Sequence, residues 1–488
     1  MRSWDAERVA RAAGARLLRA PAGQDPPGPA GAGIDSRAAT AGELFVGLKG
    51  TRSDGGAHAP AALQAGAWGV LVAPGHAAAA VQASPRGAVL EHPDPLAGLQ
   101  TLAGAWREHL GHGGCRVVAI TGSAGKTSTK DILAALLSTL ARTAASPANH
   151  NTEIGLPLAI LAAGEEVEVL VLEMAMRGSG QIALLTEIAR PEVGVIVNVG
   201  AAHLELLGSL EAIAAAKAEL IAGLAPGSTA VVPFGEPLLE AHLRADLENI
   251  SFGEQGADVT LAEQRSDGSV VIRDRGRSLE LRPSFAQAHN LRNLLAAVAA
   301  ARALGYTPEG EVRVEFSEMR GQRHALAGGG LLIEDCYNAN PMSMRAALED
   351  LAASAPGRRV AVLGEMLELG PQAPELHREV GLRAGEAGVE LLVAVGPLGK
   401  EIAAAFPGEA HTAPDAPAAA AMLAGLLAPG DTVLVKGSRG VGLELVCSAL
   451  REEGGPDQRS GPAAGAGPGD DPPPAAGLQA HRAASGPR

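Results

Sequence analysis

Aromatic side chains are scarce in this chain: six Phe, two Tyr and three Trp make up 2% of 488 residues. A core with so few large rings must be built from Ala, Gly and Leu, and 47% hydrophobic residues suffice for it. An excess of positive charge is also missing. The 40 basic and 54 acidic side chains leave a formal charge of −14, which argues against nucleic acid as a partner. No run of about 18 apolar residues occurs, so no membrane-spanning helix is expected. The three cysteines, Cys115, Cys336 and Cys447, lie far apart with no metal or disulfide spacing, as suits a reducing cytoplasm. The N-terminus, "MRSWDAERVARAAGARLLRA", spreads arginines along an amphipathic helix and lacks the apolar stretch of a signal peptide. Lysine is rare too: the 40 cations include only six, at positions 49, 126, 130, 217, 400 and 436. A lysine kept against such a preference for arginine hints that a primary amine is needed.

What is present is a repeated alternation of apolar strands and helices. The length exceeds one core, and about two to four domains are expected. After the first helix comes a Pro/Gly-rich connector, "PAGQDPPGPAGAG", and a small α/β unit over residues 1–112. From there to 325, "RVVAI", "VEVLVLE" and "VGVIVNV" read as parallel strands covered on both faces, with a strand-rich extension at 250–283. Residues 326–453 repeat the rhythm as a Rossmann-like, doubly wound sheet. The segment 454–488 has one large aliphatic residue, Leu478, and is expected to be disordered.

The stretch "VVAITGSAGKTSTK" carries the chemistry. A strand feeds a glycine turn and then a helix over 127–140, with Ile132, Leu133, Leu136, Leu137 and Leu140 on one face. Strand, turn and helix N-terminus aim backbone N–H groups and a positive dipole end at an anion. Gly122, Ser123, Ala124, Gly125, Lys126, Thr127 and Ser128 are expected to bind the nucleotide, with Lys126 neutralising the terminal phosphates and the Thr127 hydroxyl suited to Mg²⁺. The loop is shorter than the usual phosphate-binding pattern, because only Ser123 and Ala124 separate Gly122 from Gly125.

This clipped "TGSAGKT" resembles the loop of the Mur ligase family, ATP-dependent amide-forming enzymes of peptidoglycan synthesis. Further matches follow in the family's order. "NHNTEIGLPLAIL" brings Asn149 and Asn151, and "VLEMAMRGSGQI" ends a strand at Glu173, where the family has a magnesium-binding carboxylate. "NVGAAHLELLGSLEAIAAAKAEL" supplies His203 and Lys217 as a second metal site, with Lys217 expected to be carbamylated. "AHNLRNLLAA" matches the adenine-contacting helix through Asn290 and Asn293, and "MRGQRH" supplies Arg323 for the nucleotide phosphates.

In the first unit, "IDSRAATAGELFVGLKGTRSDGGAHA" resembles a uridine-nucleotide domain, with Asp35, Ser36, Arg37 and Asp54 at the substrate; His58 stands later than in the family's usual loop. In the last unit, "EDCYNANPMSMRAAL", "LGEMLELG", His377 and "VKGSRGVGLE" resemble the members that add a D-alanyl-D-alanine dipeptide, with Cys336 at a common serine position. The Asp-Asn-Pro-Arg signature of the diaminopimelate-adding members is absent. The resemblance places Asp335 toward ATP, and Tyr337, Asn338, Asn340 and Lys436 toward the peptide substrates.

The resemblance implies ATP and Mg²⁺ as cofactors and three domains that close on their substrates. It implies joining of D-alanyl-D-alanine to UDP-N-acetylmuramoyl-tripeptide through an acyl phosphate, by a cytoplasmic monomer in peptidoglycan precursor synthesis. Two alternatives stand beside this reading. One is a family ligase adding a different amino acid or dipeptide; the other is a P-loop nucleotide-binding protein without ligase activity. Retention of Lys126, Glu173, His203 and Lys217 together disfavours the second.

Overall fold

The apolar runs at the centre of the chain become the strands Arg116–Thr121, Val169–Glu173 and Val193–Ile196, paired in parallel with the first in the middle. Side chains on successive strand positions point to opposite faces. Accordingly Val117 and Ala119 enter one apolar cluster, and Val118 and Ile120 the cluster on the other side. Burial on both faces is why these strands read as continuous apolar runs rather than alternating ones.

The computed structural model describes residues 1–21, 27–37 and 41–452. Three sheets organise it. The first has five strands from Arg16–Arg19 to Ala88–Glu91, all parallel except the pairing between those two. The central sheet has ten strands. Its parallel part, from Thr143–Ala145 across to Val259–Gln264, continues into the antiparallel strands Val270–Asp274 and Arg277–Pro283. There the polar alternation expected at 250–283 appears as buried Val270 and Ile272 beside exposed Arg273. The third sheet has six strands, parallel except for its edge pair.

That edge pair moves a boundary. The strand Gln322–Ala325 pairs with Leu331–Asp335, so the third sheet begins at Gln322 rather than at 326. The loop helix runs Lys126–Ser138 and buries Ile132, Leu133, Leu136 and Leu137. Leu140, expected on the same face, lies past its end and is 43% exposed. The last helix among the described residues, Glu444–Glu452, packs on the third sheet. The tail expected to be disordered at 454–488, and part of the Pro/Gly-rich connector, lie outside the described residues. Among the described residues no helix is long and apolar enough to cross a membrane.

The first two units are not independent bodies. One apolar cluster runs from Trp4, Leu90 and Leu99 through Trp106 to Leu161, Ile182 and Leu220. The Trp106 indole N–H donates to the Ala163 carbonyl at 2.9 Å, and the buried Arg107 guanidinium donates to Ala189 O at 2.8 Å. The helix Pro95–His112 therefore fixes the first sheet relative to the phosphate loop.

Candidate active site

The loop between the strand Arg116–Thr121 and the helix Lys126–Ser138 is braced from three sides. Asn198, at the end of a neighbouring apolar run, accepts from Ser123 N at 3.1 Å and Ala124 N at 2.9 Å through its side-chain oxygen. The Asn198 amide also donates to Ala124 O at 3.0 Å. Ser123 Oγ both donates to and accepts from the Gly200 backbone, at 2.8 and 2.9 Å. From the third unit, the Asn340 amide donates to Ser123 O at 3.0 Å.

These contacts correct the expected division of labour. The N–H groups of Ser123 and Ala124 already have partners, so those two residues hold the loop's shape. Donors for an anion remain at the start of the helix, at Lys126, Thr127 and Ser128, where an α-helix leaves N–H groups without intrahelical acceptors. Gly125 is at φ +78, and a Cβ there would meet Asn293 Oδ1 at 2.7 Å. Left-handed backbone and close approach both demand glycine at this position.

Directly behind the loop, Thr127 Oγ1 donates to Glu173 Oε2 at 2.8 Å. The other carboxylate oxygen accepts from the Asn151 amide at 2.8 Å, and Ser146 Oγ accepts from Glu173 N at 2.9 Å. Glu173 is 1% exposed. A hydroxyl and a fixed, buried carboxylate form an all-oxygen donor set, the chemistry that suits Mg²⁺. Asn149 is exposed, and its carbonyl accepts from Asn151 N at 2.8 Å.

Three basic groups converge on the same place. Lys126 donates to Gly122 O at 2.8 Å, and burial lowers its ammonium from the ordinary lysine value against the pull of Glu173. Lys217 sits on the helix Leu210–Gly223, is 2% exposed, and has no hydrogen-bond or ion-pair partner among the described residues. Burial first, and repulsion from Lys126 second, push its pKa well below the usual lysine range. His203 adopts a left-handed backbone at φ 62 and is lowered mainly by burial, with Lys126 and Lys217 also acting on it. Its Nδ1 forms a very short contact with Glu368 of the third unit. Glu368 also accepts from Glu205 N at 3.1 Å through its carbonyl and faces Arg177 at 3.8 Å. Sequence reasoning missed Glu368, although it stands inside "LGEMLELG".

On the nucleotide side, Asn293 Nδ2 donates to Asn290 Oδ1 at 3.3 Å, both buried at the start of the helix Ala288–Ala303. His289 beside them is within electrostatic reach of Asp335 and Lys436. Arg323 is placed elsewhere: it binds Asp350 at 2.9 Å and Ser354 at 2.8 Å, on the edge strand of the third sheet. The arginine whose charge acts on Lys126 is Arg320, stacked at 4.2 Å over the Tyr337 ring. Both lie in "MRGQRH", and only the pairing register distinguishes them.

The signature loop of the third unit is also more inward than expected. Asn340 caps the helix Pro341–Ser354 by accepting from Ser343 N, and its amide holds Ser123, so both ends of its side chain are engaged within the chain. Asn338 Oδ1 accepts from Ala339 N at 2.9 Å. Lys436 is buried and donates to Asp335 Oδ2 at 2.7 Å and Asn338 O at 3.2 Å. His377 is fully buried and locked, with Nδ1–H donating to Ala373 O and Nε2 accepting from Met366 N at 3.0 Å.

In the first unit, Arg37 grips Asp35 through two nitrogens at 3.0 and 2.9 Å, next to Ser36. Asp54 caps the turn Gly55–His58 and meets His76 at 3.1 Å, a partner 22 positions away that no local pattern marks.

The chain matches the Mur ligase family catalytic domain over residues 30–105, the Mur ligase middle domain over 120–301, and the Mur ligase glutamate ligase domain over 319–439. It is 39% identical to the UDP-N-acetylmuramoyl-tripeptide–D-alanyl-D-alanine ligase of Synechocystis sp., covering 86% of this chain and 91% of that protein. The Bacillus subtilis protein of the same name is 33% identical, with 86% and 93% covered. MurF from Acinetobacter baumannii superposes with a TM-score of 0.80 at 29% identity, over 92% of this chain and 99% of that one. MurF ligase from Thermotoga maritima, solved in complex with ADP, gives 0.74 at 31% identity, over 86% and 97%.

Proposed function

The chain belongs to the Mur ligase family, and from that membership we infer an ATP-dependent, ADP-forming ligase that joins D-alanyl-D-alanine to UDP-N-acetylmuramoyl-tripeptide. Its proposed place is cytoplasmic peptidoglycan precursor synthesis, and its proposed working state is a monomer. The observation that carries the reading is the Thr127–Glu173 pair at 2.8 Å behind a Gly-Lys-Thr helix start.

A carboxylate does not accept an amine directly, because its oxygen is a poor leaving group. The tripeptide's terminal carboxylate oxygen attacks the γ-phosphorus of ATP, and ADP leaves. The dipeptide amine, having lost a proton, then attacks the carbonyl carbon of the acyl phosphate, and inorganic phosphate leaves with its bond electrons. Both steps gather negative charge, so fixed positive groups do most of the catalysis. Lys126 and the N–H groups of Lys126, Thr127 and Ser128 hold the phosphates. Arg320, with Tyr337 behind its guanidinium, is the cation on the third unit's side. Asn290 and Asn293, with Asp335 nearby, form the base and ribose side.

Thr127 and Glu173 would hold one Mg²⁺; His203 and Lys217 a second. When bound, the ions offset phosphate charge. A cationic Lys217 beside Lys126 fits such a place poorly, whereas the neutral amine favoured by burial can take up CO₂ as an anionic carbamate. Asp35, Ser36, Arg37 and Asp54 are the proposed uridine-nucleotide contacts. The Asn340–Ser123 and Glu368–His203 contacts support closure of the third unit over the site, which keeps water from the acyl phosphate.

The test is ADP and phosphate release with UDP-tripeptide and dipeptide supplied singly and together. Release only with both, and with D-alanyl-D-alanine over single amino acids, is the expected result. Turnover with a single amino acid would identify a different ligase of the family.

A further inference from the structure

Three side chains that the nucleotide site does not use meet behind the strand Leu331–Asp335. Glu334 lies on this strand and Cys336 follows it two residues on, so strand alternation turns both to the face opposite Asp335 and its Lys436 partner. Cys447 comes from the helix Glu444–Glu452, which packs on that face. Both cysteines are fully buried and Glu334 is 5% exposed. One oxygen of Glu334 and the two sulfurs lie within 4.8 Å of one another. His324, on the edge strand Gln322–Ala325, puts Nε2 3.1 Å from Glu334 Oε2. That nitrogen is buried and makes no hydrogen bond of proper geometry among the described residues.

We propose that Cys336, Cys447 and Glu334, with His324 as fourth donor, form a structural zinc site in the third unit.

Two sulfurs, a nitrogen and an oxygen suit zinc, which takes four such ligands tetrahedrally, and suit Mg²⁺ poorly. Donors around a tetrahedral zinc lie roughly 3.3–3.8 Å apart given its bond lengths, so on binding Glu334, Cys336 and Cys447 draw together and His324 turns from Glu334 toward the sulfurs. Charge favours the exchange as well. Arg451 Nη1 donates to Glu334 Oε2 at 2.9 Å, so that pair is neutral beside two thiols. Entry of the dication expels one proton from each thiol, and the two thiolates balance it. The buried cluster thus keeps its net charge, avoiding an uncompensated ion in an apolar interior. The Cys447 thiol is pushed up by its hydrogen bond to Cys336 and by burial, and a bound cation would favour its thiolate. A disulfide would join the same sulfurs but would use neither Glu334 nor His324. Bound zinc would tie the last described helix to the strand that ends at Asp335.

The test uses the full chain, produced under reducing conditions with zinc or cobalt supplied and passed over a chelating resin. Expected are about one zinc per chain by elemental analysis and, in the cobalt form, sulfur-to-metal charge-transfer bands. The magnesium site has no sulfur and cannot give those bands. They should weaken in Cys447→Ser and Cys336→Ser and stay unchanged in Cys115→Ser; His324→Ala should retain them with weaker metal affinity. Absence of the bands and of retained zinc in the unsubstituted chain overturns the proposal, whatever the variants do. So do full bands in Cys447→Ser, or a thiol count that reveals a Cys336–Cys447 disulfide.

Discussion

At Lys217 the surroundings change what a lysine is. Burial and the neighbouring Lys126 both oppose a second ammonium, so the neutral amine is favoured, the form that reacts with CO₂. Lys217→Ala should reduce turnover by on the order of 10²-fold or more, since a fixed charge at a phosphoryl-transfer site is lost. A short carboxylic acid that occupies the vacated place should restore part of it in an ADP-release assay. Undiminished turnover of the alanine variant would remove Lys217 from the mechanism. Two neighbouring arginines give a second contrast. Arg320 acts on Lys126, whereas Arg323 spends its charge on Asp350. Arg320→Ala should lower kcat/KM for ATP by on the order of 10- to 100-fold. Arg323→Ala should leave ATP kinetics near those of the parent and cost about 1 kcal/mol or less in thermal unfolding, as partly exposed pairs do. The reverse order would return the nucleotide role to Arg323.

At the scale of elements, the strand–loop–helix unit depends on Gly125. Alanine there would take a left-handed backbone and meet Asn293 Oδ1 at 2.7 Å. Gly125→Ala is expected to destabilise the chain by roughly 1–3 kcal/mol, the range for a strained backbone. It should also weaken ATP binding in calorimetric titration, because the displaced helix start no longer presents its N–H groups to the phosphates. Unchanged affinity would mean that the anion sits away from this turn. The helix Pro341–Ser354 is tied to the same loop at its other end, since Asn340 both caps it and holds Ser123 O. The third unit's signature loop thus serves to align two units, a role that its sequence does not advertise.

At the scale of the whole molecule, half-buried and buried histidines set the response to acid. His150, His289 and His377 are each held below the ordinary histidine value, in every case mainly by burial. Unfolded, they take up protons near about pH 6.5. Below that value and above the folded ones, the unfolded chain binds more protons, so stability is full above about pH 6.5 and declines as pH falls. Thermal midpoints measured from about pH 7.5 down to 5.5 should fall steadily. His377→Gln should unfold earlier at neutral pH, having lost one of two buried hydrogen bonds, yet show a shallower acid slope. An unchanged slope would assign the acid response to other groups.

Local chemistry determined much of this protein from the sequence by itself. A strand buried on both faces is a continuous apolar run, and a phosphate loop needs glycine, lysine and threonine at fixed offsets, so the central unit and the loop with Lys126 and Thr127 were legible, whereas Glu173, His203 and Lys217 stood out only through the family resemblance. Such features depend on neighbours along the chain. The tertiary structure decided what depends on register and on distant partners. The edge pairing that starts the third sheet at Gln322 places Arg323 within the strand and leaves Arg320 before it. Asn198 occupies the N–H groups of Ser123 and Ala124 across 75 and 74 residues of chain. Cys336 and Cys447 are spaced like unrelated thiols and become neighbours only because a helix returns to the back of a strand. Sequence spacing records what the backbone fixes within a few residues; contacts closed by folding leave no periodicity to read.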